Sequence, residues 1–508
     1  MNPSQILITT GIISSGIFIP FSGQGKPKPD KKPNIIYILA DDLGYGDVSA
    51  YNPQSKISTP NIDRLASHGI RFTDAHSPCA VCTPTRYGIL TGRYSWRSPL
   101  KEGVLNGYSP SLIEKDRTTV ASFLKQNGYT TGVVGKWHLG IDWVQKSGTV
   151  NESTQTSSPG IKIINPETID FTLQPTDGPK NHGFDYSYIL PASLDMPPYC
   201  YLENNTLTAP LTGQTPGSNP ANGTTGAFWR AGLMAEGFEF EQVTPTFTDK
   251  AISFIRQQSP GKPFFLYLPF PSPHTPWLPT AEFRGSSKAG EYGDFVNMVD
   301  AQVGKVLQTL TEMGFDDNTI VFFTSDNGPF WKPDFIEKFN HHSASIYRGM
   351  KADAFEGGHR IPFIVRWPGK IKPNSQCDET VTLTNLLATC ASVVNKNLAK
   401  NEGEDSFSIL PLLLDKPADY QRPEAQIQQS SRGYFVVRRG DWKLIKGLGS
   451  GGFSKPEKIE PQRGEAPGQL FNLKEDPSET RNLYLQYPDK VEELTNILKK
   501  FQETGRSR

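Results

Sequence analysis

The stretch NIIYILA at residues 34–40, followed at once by Asp41-Asp42-Leu43-Gly44-Tyr45-Gly46-Asp47, decides how the chain is read. The apolar run has the length and composition of a strand, and the acidic, glycine-rich segment behind it reads as the turn that the strand delivers. Working outward, the same alternation recurs. NIDRLASHG (61–69) reads as a helix, TTGVVG (130–135) as a strand, and FTDKAISFIRQQ (247–258) as a helix. PFFLYLPF (263–270), an amphipathic stretch over 292–313, NTIVFFT (318–324) and IPFIVRW (361–367) continue it. Strands alternating with helical patterns predict an α/β fold, with a large, mostly parallel or mixed sheet flanked by helices. After Pro411 the character changes: GYFVVRRGDWKLIKG reads as a hairpin and YPDKVEELTNILKKFQETG as a closing helix. A catalytic unit over 31–415 and a smaller antiparallel α+β subdomain over 416–508 are therefore expected.

At 508 residues the chain is long enough for two or three units of roughly 100 to 200 residues each. Lys plus Arg (52) equals Asp plus Glu (52), so no overall field draws the surface to nucleic acid or to an anionic membrane. Five cysteines are an odd number and too few for a disulfide scaffold, which leaves at least one thiol to be explained. Cys79 and Cys82 form a C-x-x-C, but no second pair follows to complete a zinc site. Residues 6–21 (ILITTGIISSGIFIPF) are apolar or small and end before a Lys/Pro-rich stretch. This reads as a signal peptide over 1–25, because a membrane span needs roughly 20 residues. Export, to a periplasm in the first instance with the extracellular space as the alternative, and no stable membrane insertion follow as expectations.

The polar clusters fall directly behind predicted strands, where open α/β sheets bind their ligands. Asp41 and Asp42 follow the first strand, and Asp326 and Asn327 follow NTIVFFT. Together they offer an all-oxygen shell, which favours calcium or magnesium over zinc, and calcium more readily accepts an irregular cage. Taken singly, D-D-L-G and S-D-N-G are also ordinary turn sequences.

A third cluster carries more. Cys82-Thr83-Pro84-Thr85-Arg86, followed by Leu90-Thr91-Gly92, resembles the signature of the type I sulfatases, members of the alkaline phosphatase superfamily. In these enzymes the cysteine of C-x-P-x-R is oxidised to formylglycine. Further matches come in family order: Gly135-Lys136-Trp137-His138, Ser272-Pro273-His274-Thr275-Pro276, Arg348-Gly349-Met350-Lys351, and Gly440-Asp441-Trp442-Lys443. The resemblance spans about residues 31–485 and implies the alkaline-phosphatase-like fold.

It also implies a mechanism. Cys82, matured by a formylglycine-generating partner enzyme, becomes an aldehyde whose hydrate attacks sulfur to give a covalent sulfo-enzyme. One calcium ion, held by Asp41, Asp42, Asp326 and Asn327 beside the modified Cys82, offsets negative charge together with Lys136 and Lys351. Arg86 orients the modified residue, His274 protonates the leaving oxygen, and His138 takes the proton that releases sulfate.

The substrate suggested by the resemblance is a sulfated glycan of the glycosaminoglycan or mucin type. Exo-acting removal of 6-O-sulfate from galactose or N-acetylgalactosamine comes first, with 4-O- or 3-O-sulfated sugars and aryl sulfates as alternatives. Trp96, Asp195, Tyr199, His341, His342, His359 and Arg360 are the candidates for reading the sugar, because aromatic faces stack on sugars and charged groups bind hydroxyls. Against them stands ordinary packing of the aromatic side chains. A phosphatase of the same superfamily is disfavoured by the cysteine at the nucleophile position, and a turnover-dead binding protein by the complete catalytic set.

Overall fold

Each central strand is buried along its whole length, and this is why the apolar runs show little polar alternation. The computed structural model describes residues 1, 31–149, 153–220 and 226–508. The proposed signal peptide lies outside the described residues. Ten strands form the main sheet: β1 (Asn34–Ala40), β2 (Ile70–Phe72), β3 (Thr130–Lys136), β4 (Tyr186–Leu190), β5 (Leu202–Glu203), β6 (Thr206–Leu207), β7 (Phe264–Pro269), β8 (Thr319–Ser325), β9 (Phe363–Arg366) and β10 (Ser375–Cys377). Their spatial order is β10-β2-β9-β8-β1-β7-β3-β4-β5-β6. β8, β1, β7, β3 and β4 run parallel, so their carboxyl ends open on one side of the sheet. β9 runs antiparallel to both β8 and β2, so the sheet is mixed.

The helices form two packed groups. α1 (Pro60–Ser67) and α4 (Val243–Arg256) both contact α5 (Gly290–Glu312), while α2 (Cys82–Thr91) contacts α3 (Val120–Gln126) and α6 (Leu386–Val393). α1 begins at a proline, whose missing N–H costs nothing at a helix start, and turns Ile62, Leu65 and Ala66 inward. α3 is opened by a capping box in which Thr119 and Ser122 satisfy each other's backbone N–H groups.

A second sheet of four antiparallel strands begins at Gln426: β11 (Gln426–Gln429), β12 (Phe435–Arg439), β13 (Trp442–Ile445) and β14 (Gln469–Asn472). The expected hairpin is β12–β13, closed by Gly440-Asp441 with Gly440 at φ +55°. α7 (Pro488–Thr504) lays Leu494, Ile497, Leu498 and Phe501 over this sheet. Lys32–Arg508 is one compact unit. No helix among the described residues is long and apolar enough to cross a membrane.

A buried ion network joins the two sheets. Lys443 on β13 reaches Glu356 at 3.0 Å and Glu479 at 2.8 Å, all three fully buried. Arg360 pairs with Glu356 at 2.8 Å and with Asp74 at 2.7 Å, and Arg438 on β12 also faces Asp74. Lys443→Ala leaves Glu479 buried without a cation and Glu356 with Arg360 as its close one. A loss of about 3–5 kcal/mol in unfolding free energy is expected, read as a fall in the denaturation midpoint. An unchanged midpoint would mean that the network carries no weight.

Candidate active site

Five elements converge at the carboxyl ends of the parallel strands. β1 delivers Asp41 and Asp42, β8 delivers Asp326 and Asn327, and β3 ends on Lys136, two residues before His138. The loop after β7 brings His274, and the start of α2 brings Cys82, whose side chain is almost wholly buried. The register fixes this convergence, because Ala40 is paired with Ser325 and Leu39 with Pro269. The Asp41 N–H donates to Ser272 O at 3.0 Å, and the Leu43 N–H donates to Ser325 Oγ at 2.9 Å. Asp42 and His138 hold the left-handed backbone region at φ +64° and +55°. Such conformations are uncommon for residues other than glycine and persist only where the surroundings enforce them.

Charge is balanced closely. Arg86, fully buried, donates from Nε and Nη2 to Asp326 Oδ2 at 3.0 and 2.8 Å, and from Nη2 to Asp41 Oδ2 at 3.2 Å. Its third nitrogen donates to Lys136 O at 2.9 Å. Lys136 Nζ lies 2.5 Å from Asp41 Oδ2 and 3.0 Å from Ser193 Oγ. Lys351 Nζ lies 2.8 Å from Asp42, and Asn327 Nδ2 donates to Asp42 Oδ1 at 2.7 Å. Burial works against the Asp41 carboxylate, but Lys136, His274 and Arg86 together hold it well below the usual range. Asp326 goes the other way: burial first, and then the Asp41 charge, push it up to about 7.

His274 Nε2 lies 3.8 Å from Asp42 and its Nδ1 lies 3.9 Å from Asp195, while Nδ1 also meets Thr275 O at 2.7 Å. His138 Nε2 meets Leu105 O at 2.8 Å and leaves Nδ1 without a partner. Burial, reinforced by Lys351 for His274 and by Lys136 for His138, lowers both imidazole pKa values, so the neutral forms are favoured. Burial raises the Cys82 thiol, an effect opposed by Lys136 and Lys351.

The arrangement fits a hard cation. Asp41 Oδ1 and Asn327 Oδ1 are buried without any hydrogen-bond partner, and such orphaned acceptors are costly unless something fills them. One oxygen each from Asp41, Asp42 and Asp326 lies within 4.8 Å of the others. Oxygens about 2.4 Å from one calcium ion can be at most about 4.8 Å apart, so the spread suits it. A cation there would also relieve the repulsion that raises Asp326.

Of the residues expected to read a sugar, Asp195 alone sits at this centre, with Oδ1 unpartnered and Oδ2 bonded to Arg230. The others lie elsewhere in the structure. Trp96 is core: it stacks on Tyr94, meets Phe435 edge-on and is covered by Arg97 at 4.1 Å, because the C-terminal sheet packs on it. Tyr199 is buried against Phe238 and Phe240 with its hydroxyl on Arg230 O. His359 is fully buried, and Arg360 is consumed by the network that joins the sheets. His341 is fixed on Asp47 at 2.7 Å, whereas His342 is exposed. Ser193 was not anticipated. It lies two residues before Asp195, just past β4, whose YSYIL run is too short and too mixed to stand out in the sequence.

A hydrolytic centre built from acidic strand ends, two lysines, two histidines and a cysteine opening a helix defines the class. The sulfatase family model matches residues 33–396, and the chain belongs to the sulfatase family, whose members are sulfuric ester hydrolases. It is 36% identical over 502 residues to the N-acetylgalactosamine-6-O-sulfatase of Bacteroides thetaiotaomicron, covering 92% of this chain and 93% of that protein. It is 33% identical over 482 residues to arylsulfatase A of Bos taurus, covering 91% and 84%. Among solved structures, one reported under the metabolism of multiple glycosaminoglycans by Bacteroides thetaiotaomicron aligns with a TM-score of 0.78. Its identity is 33%, and the alignment covers 93% of this chain and all of that one.

Arg86→Ala removes the fork that neutralises Asp41 and Asp326. A destabilisation of about 3–5 kcal/mol is expected in urea denaturation, and a variant as stable as the parent would show that the two aspartates find other compensation.

Proposed function

We propose that this sulfatase is an exo-acting glycan sulfatase that removes 6-O-sulfate from galactose or N-acetylgalactosamine in glycosaminoglycan or mucin-type chains. The observation that carries the sugar assignment is the 36% identity, over nearly the full length of both proteins, to an N-acetylgalactosamine-6-O-sulfatase. Residues 31–415 form the catalytic domain and 416–508 a C-terminal subdomain, and residues 1–25 direct export to a periplasm.

Charge arithmetic supports the chemistry. Asp41, Asp42 and Asp326 face Arg86, Lys136 and Lys351, so three negative charges meet three positive ones. Asp41, Asp42, Asp326 and Asn327 would hold calcium, which would supply two further positive charges against the sulfuryl oxygens. Formylglycine, made from Cys82 by a maturation enzyme, supplies the nucleophile toward sulfur. Lys136 and Lys351 flank the position of the sulfuryl group and grip its oxygens as point charges. Arg86 keeps Cys82 and the carboxylates in register. His274, in the imidazolium form that Asp42 and Asp195 favour against burial, hands its Nε2 proton to the departing sugar oxygen. His138, held neutral with Nδ1 free, takes a proton at that nitrogen when sulfate is expelled. The first N–H groups of α2 have no intrahelical partner and favour an anion at Cys82.

Cys82→Ala is expected to abolish sulfate release while leaving the thermal midpoint close to the parent's. Residual turnover above about a hundredth of the parent rate would sink the nucleophile assignment. In active protein, the peptide across Cys82 should be about 18 Da lighter than its cysteine form, and 6-sulfated N-acetylgalactosamine or galactose should head a release screen. Preference for an aryl sulfate would overturn the sugar assignment. Calcium should raise the thermal midpoint of the parent but not that of Asp41→Asn or Asp326→Asn. Equal shifts in all three would place the ion elsewhere.

A further inference from the structure

A groove of about 1340 Å³ lies outside the catalytic centre described above. Sites for single small molecules run to about 300–1,000 Å³, so this one has room for more than one sugar. Three of its walls come from loops that leave β1, β7 and β8, namely residues 49–58, 286–288 and 331–350. The groove therefore opens at the same end of the sheet as the catalytic residues, and Met350 in its wall immediately precedes Lys351.

Its chemistry is one-sided. Lys56, Lys288, Arg348 and His342 line it, and none of its lining residues is Asp or Glu. Lys56, Lys288 and Arg348 form no ion pair with any carboxylate among the described residues. This contrasts with the catalytic centre and the inter-sheet network, where the cations are matched by carboxylates, and with a chain whose net charge is zero. Serines alternate with the cations along the walls and offer hydroxyls to sugar oxygens. The walls are also tied to each other and to the catalytic loops. The Lys288 N–H donates to Lys56 O at 3.0 Å, and the Gly46 N–H, just past the Asp41-Asp42 turn, donates to Ser343 O at 2.7 Å.

We propose that this groove is a chain-binding site. It holds the sulfate and carboxylate groups of a polyanionic glycan at sugars beyond the one being desulfated, with Lys56 and Lys288 as its principal cations. The inference rests on the glycan reading given above and deepens it: the preferred substrate is an oligosaccharide bearing several negative charges, not a lone sulfated sugar.

The test compares the parent with the double variant Lys56→Gln/Lys288→Gln on two substrates, 6-sulfated N-acetylgalactosamine and a chondroitin-type hexasaccharide sulfated on every disaccharide. The variant should keep kcat/KM on the monosaccharide and lose about tenfold on the hexasaccharide, with the parent's advantage shrinking as salt is raised. Equal values on the hexasaccharide, or equal losses on both substrates, overturn the proposal. Binding is measured separately by calorimetric titration of the hexasaccharide into Cys82→Ala protein with and without the two glutamines. If the parent hydrolyses no sulfated sugar, the glycan reading fails and the titration alone judges the groove. An affinity that neither the substitutions nor salt alter then removes it, and a salt-sensitive loss of about tenfold upholds it.

Discussion

Three carboxylates, Asp41, Asp42 and Asp326, are forced together in the interior by the pairing of β1 with β8, and the rest of the site answers that repulsion. Strands 4.7–4.9 Å apart that end in acidic residues cannot separate their charges. Arg86 bridges two of the carboxylates and also grips the Lys136 carbonyl, so one guanidinium ties α2, β1, β8 and β3 together. Lys136 shares Asp41 Oδ2 with Arg86, and Lys351 closes on Asp42. What is left over, the unpartnered oxygens of Asp41 and Asn327, is the space that a hard cation suits.

The C-terminal sheet takes part in this economy from a distance. Lys443 and Arg438 neutralise Glu356 and Asp74, and Glu356 belongs to the same Arg348–Arg360 segment that carries Lys351. The second sheet thus anchors the segment that carries Lys351 through a buried network.

Much of this was legible in the sequence, for identifiable reasons. NIIYILA and NTIVFFT are strands buried along their whole length, so their composition alone marks them, and the acidic residues behind them had to fall at one end of the sheet. The cysteine motif and the Gly440-Asp441 turn are local patterns that need no partner to be understood. Direction was not legible: IPFIVRW reads equally well as a parallel strand, and only its pairing makes it antiparallel. Nor were the fates of Trp96, His359 and Arg360. Trp96 is covered by strands more than three hundred residues later, and Arg360 answers Asp74, far back in the chain. A local motif can nominate such residues for ligand contact, but it does not show which distant segments pack over them. Asp195 lies near His274 because it follows the end of a parallel strand.

Cys82 is 3% exposed, at the first turn of a helix whose ten residues are all buried. The folded chain therefore offers this thiol to no second protein: any enzyme that modifies Cys82 has to reach it before the helix is packed or while it is open.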